Sequence, residues 1–211
     1  MNKMGGTRQP RQSRSQATKE KILESAYRLF CERGYYQTTT NHIAESAGVS
    51  IGSLYSYYKD REEILSDLLI QFDSSLNRAL DDLSQETELC KSDIGLWVKR
   101  VIERMVSLRR PTHELYDQLR SLKYSYPRVA EVLHQQKTRE TEIILEYLRL
   151  NRTIVRVKNL DVAAFVVQGM IEVVVDEMVS PEDGHSPPKI LAATVEAICY
   201  YLFFGPRSPQ A

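Results

Sequence analysis

Residues 48–60, GVSIGSLYSYYKD, place two glycines and three tyrosines within thirteen positions. Gly48 ends the stretch TTTNHIAESAG, whose hydroxyl residues and short apolar stripe predict a brief capped helix. Gly48 itself suits the left-handed conformation that stops a helix, and Ser50 suits the cap of the next one. Two short helices joined by a tight glycine turn form a helix-turn-helix.

The second of these helices has two different faces. Leu54 and Tyr58 share one face, which we expect to be buried, and Tyr55 follows one turn after Ile51 on the opposite face. Gly52 and Ser53 also turn outward in this arrangement. The exposed face of this helix therefore combines an aromatic ring with small neighbouring residues.

The rest of the chain predicts further helices and no sheet. A helix over residues 18–33 has Thr18 as a plausible N-cap and Gly34 as its stop, and Asp60 with Glu63 forms a capping box for a helix of about twenty residues. Later helices, separated by prolines and polar loops, are expected near 92–109, 112–124, 127–150, 161–179 and 187–204. The fold class is therefore all-α, because the isolated TIVRV segment is too short to form a sheet.

Composition indicates a soluble globular protein with 42% hydrophobic and 27% charged residues among 211. No apolar run approaches the length of a membrane span, and the N-terminus lacks a signal sequence, so we expect a cytoplasmic protein with no membrane partner. The sequence shows no phosphate-binding loop, hydrolase elbow or useful Cys/His spacing, which argues against an enzyme or a cofactor. Cysteines are three and widely spaced, which favours buried thiols over a disulfide or zinc site: Cys31, Cys90 and Cys199.

Charge is distributed unevenly along the chain, although the formal net charge is zero. Residues 1–59 carry nine Lys and Arg against four acids, which leaves an acidic remainder. A basic front on an acidic body indicates a polyanion-binding module joined to a second domain. The boundaries we predict are a disordered basic arm at 1–16, a helix-turn-helix domain at 17–59, a helical bundle at 60–205 and a tail at 206–211. The arginines of the arm are equally compatible with DNA contact and with a solvated tail.

Residues 22–65 resemble the DNA-binding domain of the TetR/AcrR transcriptional regulators. The resemblance covers about a fifth of the chain: an apolar first helix ending at a glycine, a Thr-Thr pair opening the second helix, and the AGVSIGSLYSYY segment. Tyr58 stands where the family favours Phe, which adds a hydroxyl that needs a partner. Asn41 and His42 stand where a basic residue often precedes an acid, so no phosphate contact is assigned to Asn41.

This resemblance implies a homodimer that binds double-stranded DNA at an inverted-repeat operator and is released by a small-molecule effector. Ile51 occupies the variable position and would read bases by apolar contact. The other DNA contacts carried over by matching position are Thr40, Ser50, Gly52, Ser53, Tyr55, Tyr57 and Lys59.

The body should supply dimerisation and effector binding. Residues 161–178 are apolar nearly all round and, with the last helix, would form a four-helix interface in which Gly169 permits close approach. The last helix would contribute Ile190, Leu191, Ile198, Leu202 and Phe203. Gln168 and Glu172 lie one turn apart and fit a pocket, an interface hydrogen bond or a wetter helix edge. An apolar or aromatic effector would lie among Trp97, Met105, Tyr116, Leu119, Tyr124 and Phe165, each of which is also compatible with ordinary core packing.

Other interpretations remain open from the sequence. The protein could be an effector-independent architectural or activating DNA binder, or an enzyme or structural protein that uses the helix-turn-helix for packing. His113 and Asp117 share a helix face and could bind a metal with His134, but such pairs are more often surface residues, so no metal site is assigned.

Overall fold

The computed structural model describes residues 11–89, 93–181, 184 and 186–204. Every regular element within these ranges is helical, which confirms the all-α class. The chain divides into two compact units, the first ending at Phe72 and the second beginning at Asp73. The first unit therefore includes residues 60–72, which the sequence prediction assigned to the second domain. No described helix is long and apolar enough to cross a membrane.

The first unit packs three helices and the start of a fourth around one small core. The helices are α1 (Arg11–Arg33), α2 (Thr40–Ala47), α3 (Ile51–Tyr55) and α4 (Arg61–Leu89), which continues into the second unit. Gly34 and Gly48 have φ of 82° and 66°, so both adopt the left-handed conformation predicted for helix stops. Almost wholly buried apolar side chains form the core: Ile22, Phe30, Ile43, Leu54, Tyr58 and Ile64.

Helix α1 starts earlier than its sequence suggests. It begins at Arg11, so the proposed N-cap Thr18 lies inside the helix, where its Oγ1 donates to the Arg14 carbonyl at 2.9 Å. The prediction of a disordered arm at 1–16 is therefore wrong for residues 11–16, and residues 1–10 lie outside the described residues. A hydroxyl that bonds back one turn can stay within a helix, which is why Thr18 was a misleading signal.

Helix α4 is longer than the twenty residues expected and spans 29. No glycine or proline interrupts residues 61–89, so nothing in the sequence stops the helix. Asp60 caps it as predicted, accepting from the Glu63 N–H at 2.9 Å. The Glu63 carboxylate, however, accepts from the Lys59 N–H at 2.6 Å and not from the cap residue, so the capping box is displaced by one residue.

The second unit is a helical bundle formed around a buried aromatic pair. Trp97 stacks on Tyr147 with ring centroids 3.8 Å apart, and prolines occupy the first turn of two helices, where their missing N–H is harmless. The predicted last helix ends in a π-helical turn at Tyr200–Phe204. The remaining elements are α5 (Ile94–Arg109), a 3-10 turn (Arg110–Thr112), α6 (His113–Leu122), α7 (Pro127–Leu150), α8 (Leu160–Val179) and α9 (Pro187–Cys199).

The TIVRV segment forms a turn and a loop. Its Arg156 N–H donates to the Leu202 carbonyl at 2.8 Å and its guanidinium to the Phe204 carbonyl at 3.3 Å, which fastens the π-helical turn to the bundle. Cys31 and Cys199 are free thiols, but they are only partly buried, whereas the sequence predicted buried thiols. Cys90 and the predicted tail at 206–211 lie outside the described residues.

Candidate nucleic-acid interface and ligand cavity

Local hydrogen bonds fix the start of both helices of the helix-turn-helix. Thr39 Oγ1 accepts from the His42 N–H at 3.2 Å, while His42 Nδ1 accepts from the Thr39 N–H at 3.3 Å. His42, which departs from the family pattern, thus completes a reciprocal capping box in the place of the usual Glu or Gln. At the next helix Ser50 Oγ accepts from the Ser53 N–H at 3.1 Å, as its predicted capping role requires.

The buried and exposed side chains of this segment lie as the sequence predicts, although α3 ends at Tyr55 and Tyr58 follows it outside the helix. Leu54 is completely buried and Tyr58 is 2% exposed, whereas Tyr55 is 53% and Ile51 38% exposed. Gly52 is exposed as well, and a Cβ at that position would meet no atom within 4 Å, so a ligand backbone has room to approach. The remaining predicted contact residues also reach the surface in whole or in part: Thr40, Ser50, Ser53, Tyr57 and Lys59.

A hydrogen bond on this surface joins the two helices. Thr40, the first residue of α2, and Tyr55, the last residue of α3, have their hydroxyl oxygens 3.2 Å apart. Helical spacing does not predict this pairing, because the two residues are fifteen positions apart and belong to different helices. This hydrogen bond therefore connects the start of α2 to the end of α3 on the exposed surface.

Asp67 of α4 contacts the buried Tyr58, which follows α3 in the chain. Its carboxylate accepts from the Tyr58 hydroxyl at 3.0 Å and pairs with the Lys19 ammonium of α1 at 2.6 Å. Burial and the hydrogen bond to Asp67 raise the pKa of Tyr58, which keeps its hydroxyl protonated as a donor. The extra hydroxyl of Tyr58 thus has the partner that its position demands.

Arg61 fastens the loop between α1 and α2. Its Nη1 donates to the carbonyl oxygens of Tyr35, Tyr36 and Thr38 at 2.8, 3.1 and 2.7 Å. The guanidinium also lies 4.1 Å from the centroid of the buried Tyr35 ring. Sequence reasoning missed this residue, since an arginine in the first turn of an amphipathic helix normally indicates a solvated face.

The second unit contains a cavity of about 720 Å³ between α5, α6, α8 and α9. One wall is polar: Asp176 accepts from Arg109 through Oδ1 and from Arg120 through Oδ2, the latter at 2.6 Å. Tyr116 lies beside both cations, with Arg109 4.4 Å from its ring centroid. Apolar side chains form the other wall: Val173, Val174, Val179 and Ile190.

Burial and nearby charges shift the pKa values of Arg109, Tyr116 and the nearby Glu140 in opposite directions. Burial alone would lower the pKa of Arg109, but the nearby Tyr116, Glu140 and Asp176 together raise it, so the guanidinium stays charged. Burial raises the pKa of the Tyr116 hydroxyl, against the opposing effect of Arg109. Burial likewise raises the pKa of Glu140, although Arg109 and Gln168 lower it.

Of the eight predicted pocket residues, Tyr116 lines this cavity. Trp97, Met105 and Leu119 are instead 5% exposed or less and belong to the core, because the apolar stripe that suggested a lining packs inward. Tyr124 is 84% exposed, in the turn after α6, which corrects its predicted place. Phe165 is 61% exposed and lines an adjoining groove, which shares Val173, Val174 and Ile190 with the cavity.

Gln168 and Glu172 lie in a polar seam between α7 and α8. The Gln168 amide donates to Glu140 at 3.0 Å and to Glu172 at 3.3 Å, and Lys137 pairs with Glu172 at 3.0 Å. Burial would raise the pKa of Glu172, but Lys137 and Gln168 together lower it. The seam thus gives partners to the Gln168 amide nitrogen and to Glu172, whereas Gln168 Oε1 is buried without a hydrogen-bond partner.

The sequence analysis missed Arg109, Arg120 and Asp176. Arg109 follows Ile102 and Met105 at helical spacing on the buried face of α5, and an arginine on an apolar stripe is a usable signal of a buried ion pair. The described residues contain no group of three or more His, Cys, Asp or Glu side chains that could hold a metal ion.

An apolar groove of about 690 Å³ runs along α8 and α9, the two helices predicted to dimerise. Val173 in this groove is 69% exposed, and a Cβ on Gly169 would meet no atom within 4 Å. Ile198 and Leu202, expected to face a partner, are instead at most 1% exposed and lie in the core of their own unit, because the opposite face of α9 forms the groove.

Residues 22–68 match the family model described as bacterial regulatory proteins, tetR family. Over these residues the first unit is similar to the DNA-binding domain of that family. The HTH-type transcriptional regulator HbdR of Aromatoleum sp. (strain CIB) is 35% identical over 77 residues, which cover 34% of each chain. The chain thus matches about a third of the length of that relative.

Two solved structures share the fold across both units. A transcriptional regulator of Saccharomonospora viridis in complex with choline has a TM-score of 0.68 at 19% identity, covering 89% of this chain and 98% of that one. FadR of Bacillus subtilis in complex with stearoyl-CoA has a TM-score of 0.63 at 21% identity, covering 87% and 98%. These named relatives are transcriptional regulators, not enzymes.

Proposed function

We propose that the protein is a ligand-responsive transcriptional regulator, a repressor that leaves its operator when a small effector binds. The observation that carries this proposal is the surface of α3, where Ile51, Gly52 and Tyr55 are exposed while Leu54 and Tyr58 anchor the helix from below. A short helix with small and aromatic residues on its free face fits the major groove of DNA.

The proposed contacts divide by chemistry. Ile51 reads bases by apolar contact, as with a thymine methyl, and Gly52 lets the helix approach the backbone closely. The hydroxyl and ammonium groups position the helix by contacting phosphates: Thr40, Ser50, Ser53, Tyr55, Tyr57 and Lys59. The helix is short, so one copy reads too few base pairs to select one site in a genome, which supports a dimer and an inverted-repeat operator.

The α8–α9 groove supports dimerisation through these two helices. Phe165 and Val173 leave a large apolar surface in water, and contiguous exposed apolar patches typically mark interaction sites. A two-fold dimer would bring the same groove of each copy together and cover both.

The cavity of the second unit supports effector binding. The ligands named for the two structural neighbours, choline and stearoyl-CoA, have opposite charges, but each combines an apolar portion with a charged group. The cavity offers the same combination in its valine wall and its Arg109–Asp176–Arg120 wall. We therefore propose an effector with an apolar or aromatic body and one polar group, rather than a wholly apolar molecule.

Selection of genomic DNA fragments by the full-length protein tests this function. We expect recovered fragments to share an inverted repeat, and we expect compounds handled by the neighbouring genes to weaken binding to it. Recovery of an inverted repeat whose affinity no such compound alters would favour the effector-independent architectural or activating alternative. Failure to enrich any DNA would contradict the proposed function altogether.

A further inference from the structure

The hydrogen bond between Thr40 and Tyr55 limits what these two hydroxyls can do. Each hydroxyl carries a single proton and can also accept. Their oxygens are 3.2 Å apart, so whichever group donates, one of the two protons is used within the pair. A phosphate oxygen only accepts hydrogen bonds, so the pair keeps one proton for a phosphate.

We propose that Thr40 and Tyr55 form one phosphate-binding unit, in which an inner hydroxyl donates to an outer hydroxyl and the outer one alone donates to a DNA phosphate. The proposal rests on the proposed DNA-binding function and replaces two of its separate contacts with one. The inner residue is a positioning residue: it orients the outer hydroxyl and polarises it, because hydrogen bonds in a chain strengthen one another.

Exposure is compatible with this arrangement. Tyr55 is 53% exposed at the end of α3, and Thr40 is partly exposed at the start of α2. The outer hydroxyl is therefore accessible from solvent whichever of the two residues donates within the pair. The bond also joins α2 to α3, so it holds the outer hydroxyl in place before DNA arrives. A preorganised donor loses less entropy on binding than a freely rotating one.

A double-mutant cycle with Thr40→Val and Tyr55→Phe tests the unit, since both changes remove a hydroxyl and nearly preserve shape. The probe is a mixed-sequence DNA duplex at low salt, because a phosphate contact needs no particular sequence. We expect the outer substitution to weaken binding about tenfold or more, as for a hydrogen bond to a charged group. The inner substitution should weaken binding of the otherwise unchanged protein, yet have no effect once the outer hydroxyl is gone.

Independent contacts would give a different result, in which the losses of the two single variants multiply in the double variant. That outcome, or an inner substitution without effect on the otherwise unchanged protein, would overturn the proposal. Thr40→Ser keeps the hydroxyl and should restore binding, which separates the hydrogen bond from the shape of the side chain. Absence of any duplex binding by the unchanged protein would instead contradict the proposed DNA-binding function.

Two matched controls accompany the cycle. Tyr57→Phe removes a neighbouring hydroxyl that has no described bond to Thr40, so its effect should combine with that of Thr40→Val by multiplication. Lys59→Gln removes a charge and should lower the slope of log affinity against log salt by about 1, whereas both hydroxyl deletions should leave that slope unchanged. Equal melting temperatures for all variants would show that the losses of affinity do not come from unfolding.

Discussion

Tyr55 and Tyr58 are three residues apart but lie in opposite environments, one 53% and the other 2% exposed. The helical period predicts this difference, and it holds beyond the end of α3 because the Tyr58 N–H still donates to the Leu54 carbonyl one turn back at 3.0 Å. The spacing of residues along one helix is therefore enough to predict which of its side chains are buried and which are exposed. The partners of these tyrosines could not be read from spacing, since Thr40 and Asp67 belong to other helices.

Replacing each of these tyrosines by alanine should have different consequences. Tyr58→Ala should destabilise the first unit by roughly 3–5 kcal/mol, the usual cost of deleting a buried aromatic side chain. Tyr55→Ala should change stability by only about 0.5 kcal/mol, yet weaken operator binding by about 1–3 kcal/mol. Thermal denaturation and a DNA titration on both variants measure these effects, and a folded Tyr58→Ala protein that cannot bind would show that the proposed DNA-facing surface is misplaced.

Glu140 and Glu172 form a second contrasting pair, in which pH reveals the difference. Burial raises the pKa of Glu140 despite Arg109, Gln168 and Lys137, whereas Lys137 and Gln168 lower the pKa of Glu172. A raised folded-state pKa gives stability below the unfolded value that is lost as pH rises; a lowered one gives stability above that value that is lost as pH falls.

Glu140→Gln should therefore raise the melting temperature at neutral pH, and this gain should shrink as pH falls toward the ordinary glutamate pKa of about 4.3. Glu172→Gln is the matched control and should lower the melting temperature at neutral pH, because the carboxylate that pairs with Lys137 is lost. Melting curves across this pH range measure both changes. The same sign for the two variants at neutral pH would contradict the assignment of their pKa directions.

At the scale of elements, local signals predicted the Gly34 and Gly48 stops and the Ser50 and Asp60 caps, but not the start of α1. Gly34 and Gly48 end their helices in the left-handed conformation, which few other residues adopt without strain. Thr18 failed as a start signal because a threonine can also lie within a helix and bond to the preceding turn. A cap is therefore decided by the backbone around it, which the residue type alone does not specify.

Arg61 of α4 stabilises the loop that connects two other helices, α1 and α2. Three carbonyl oxygens accept from its Nη1 and the Tyr35 ring lies against its plane, an arrangement that the ammonium of lysine cannot reproduce. We expect Arg61→Lys to destabilise the first unit by about 1–3 kcal/mol. Chemical denaturation measures the change, and Arg33→Lys, at an exposed position of α1, serves as the control. Equal stability of the two variants would show that the loop does not depend on Arg61.

At the scale of the whole molecule, the helix-turn-helix could be predicted from the sequence, whereas most of the cavity lining could not. The basic excess of residues 1–59 and the helix-turn-helix pattern are local properties that a single chain displays. The cavity wall instead joins Arg109, Arg120 and Asp176 from three helices, up to 67 residues apart. Such a site depends on tertiary packing. Of the aromatic residues proposed for it, Tyr116 lines the cavity and Trp97 packs in the core, whereas Tyr124 and Phe165 are exposed elsewhere.

The last prediction concerns the α8–α9 groove and the dimer. Val173 is 69% exposed within this groove, and a two-fold interface would place it and its symmetry copy in the same buried surface. Val173→Glu would then bury two unpaired charges, which is unfavourable, so we expect the variant to be monomeric at concentrations where the unchanged protein is a dimer. It should also lose operator affinity while retaining the weaker affinity of one helix-turn-helix for a half-site, since the two half-sites act together only in a dimer. Analytical ultracentrifugation and titration of full and half operators measure both effects.

Leu150→Glu, at a 49% exposed position at the end of α7, introduces the same charge away from the groove and should leave the dimer intact. A Val173→Glu protein that remains dimeric would show that the interface lies elsewhere, and a monomeric unchanged protein that binds the full operator as one copy would refute the dimer itself.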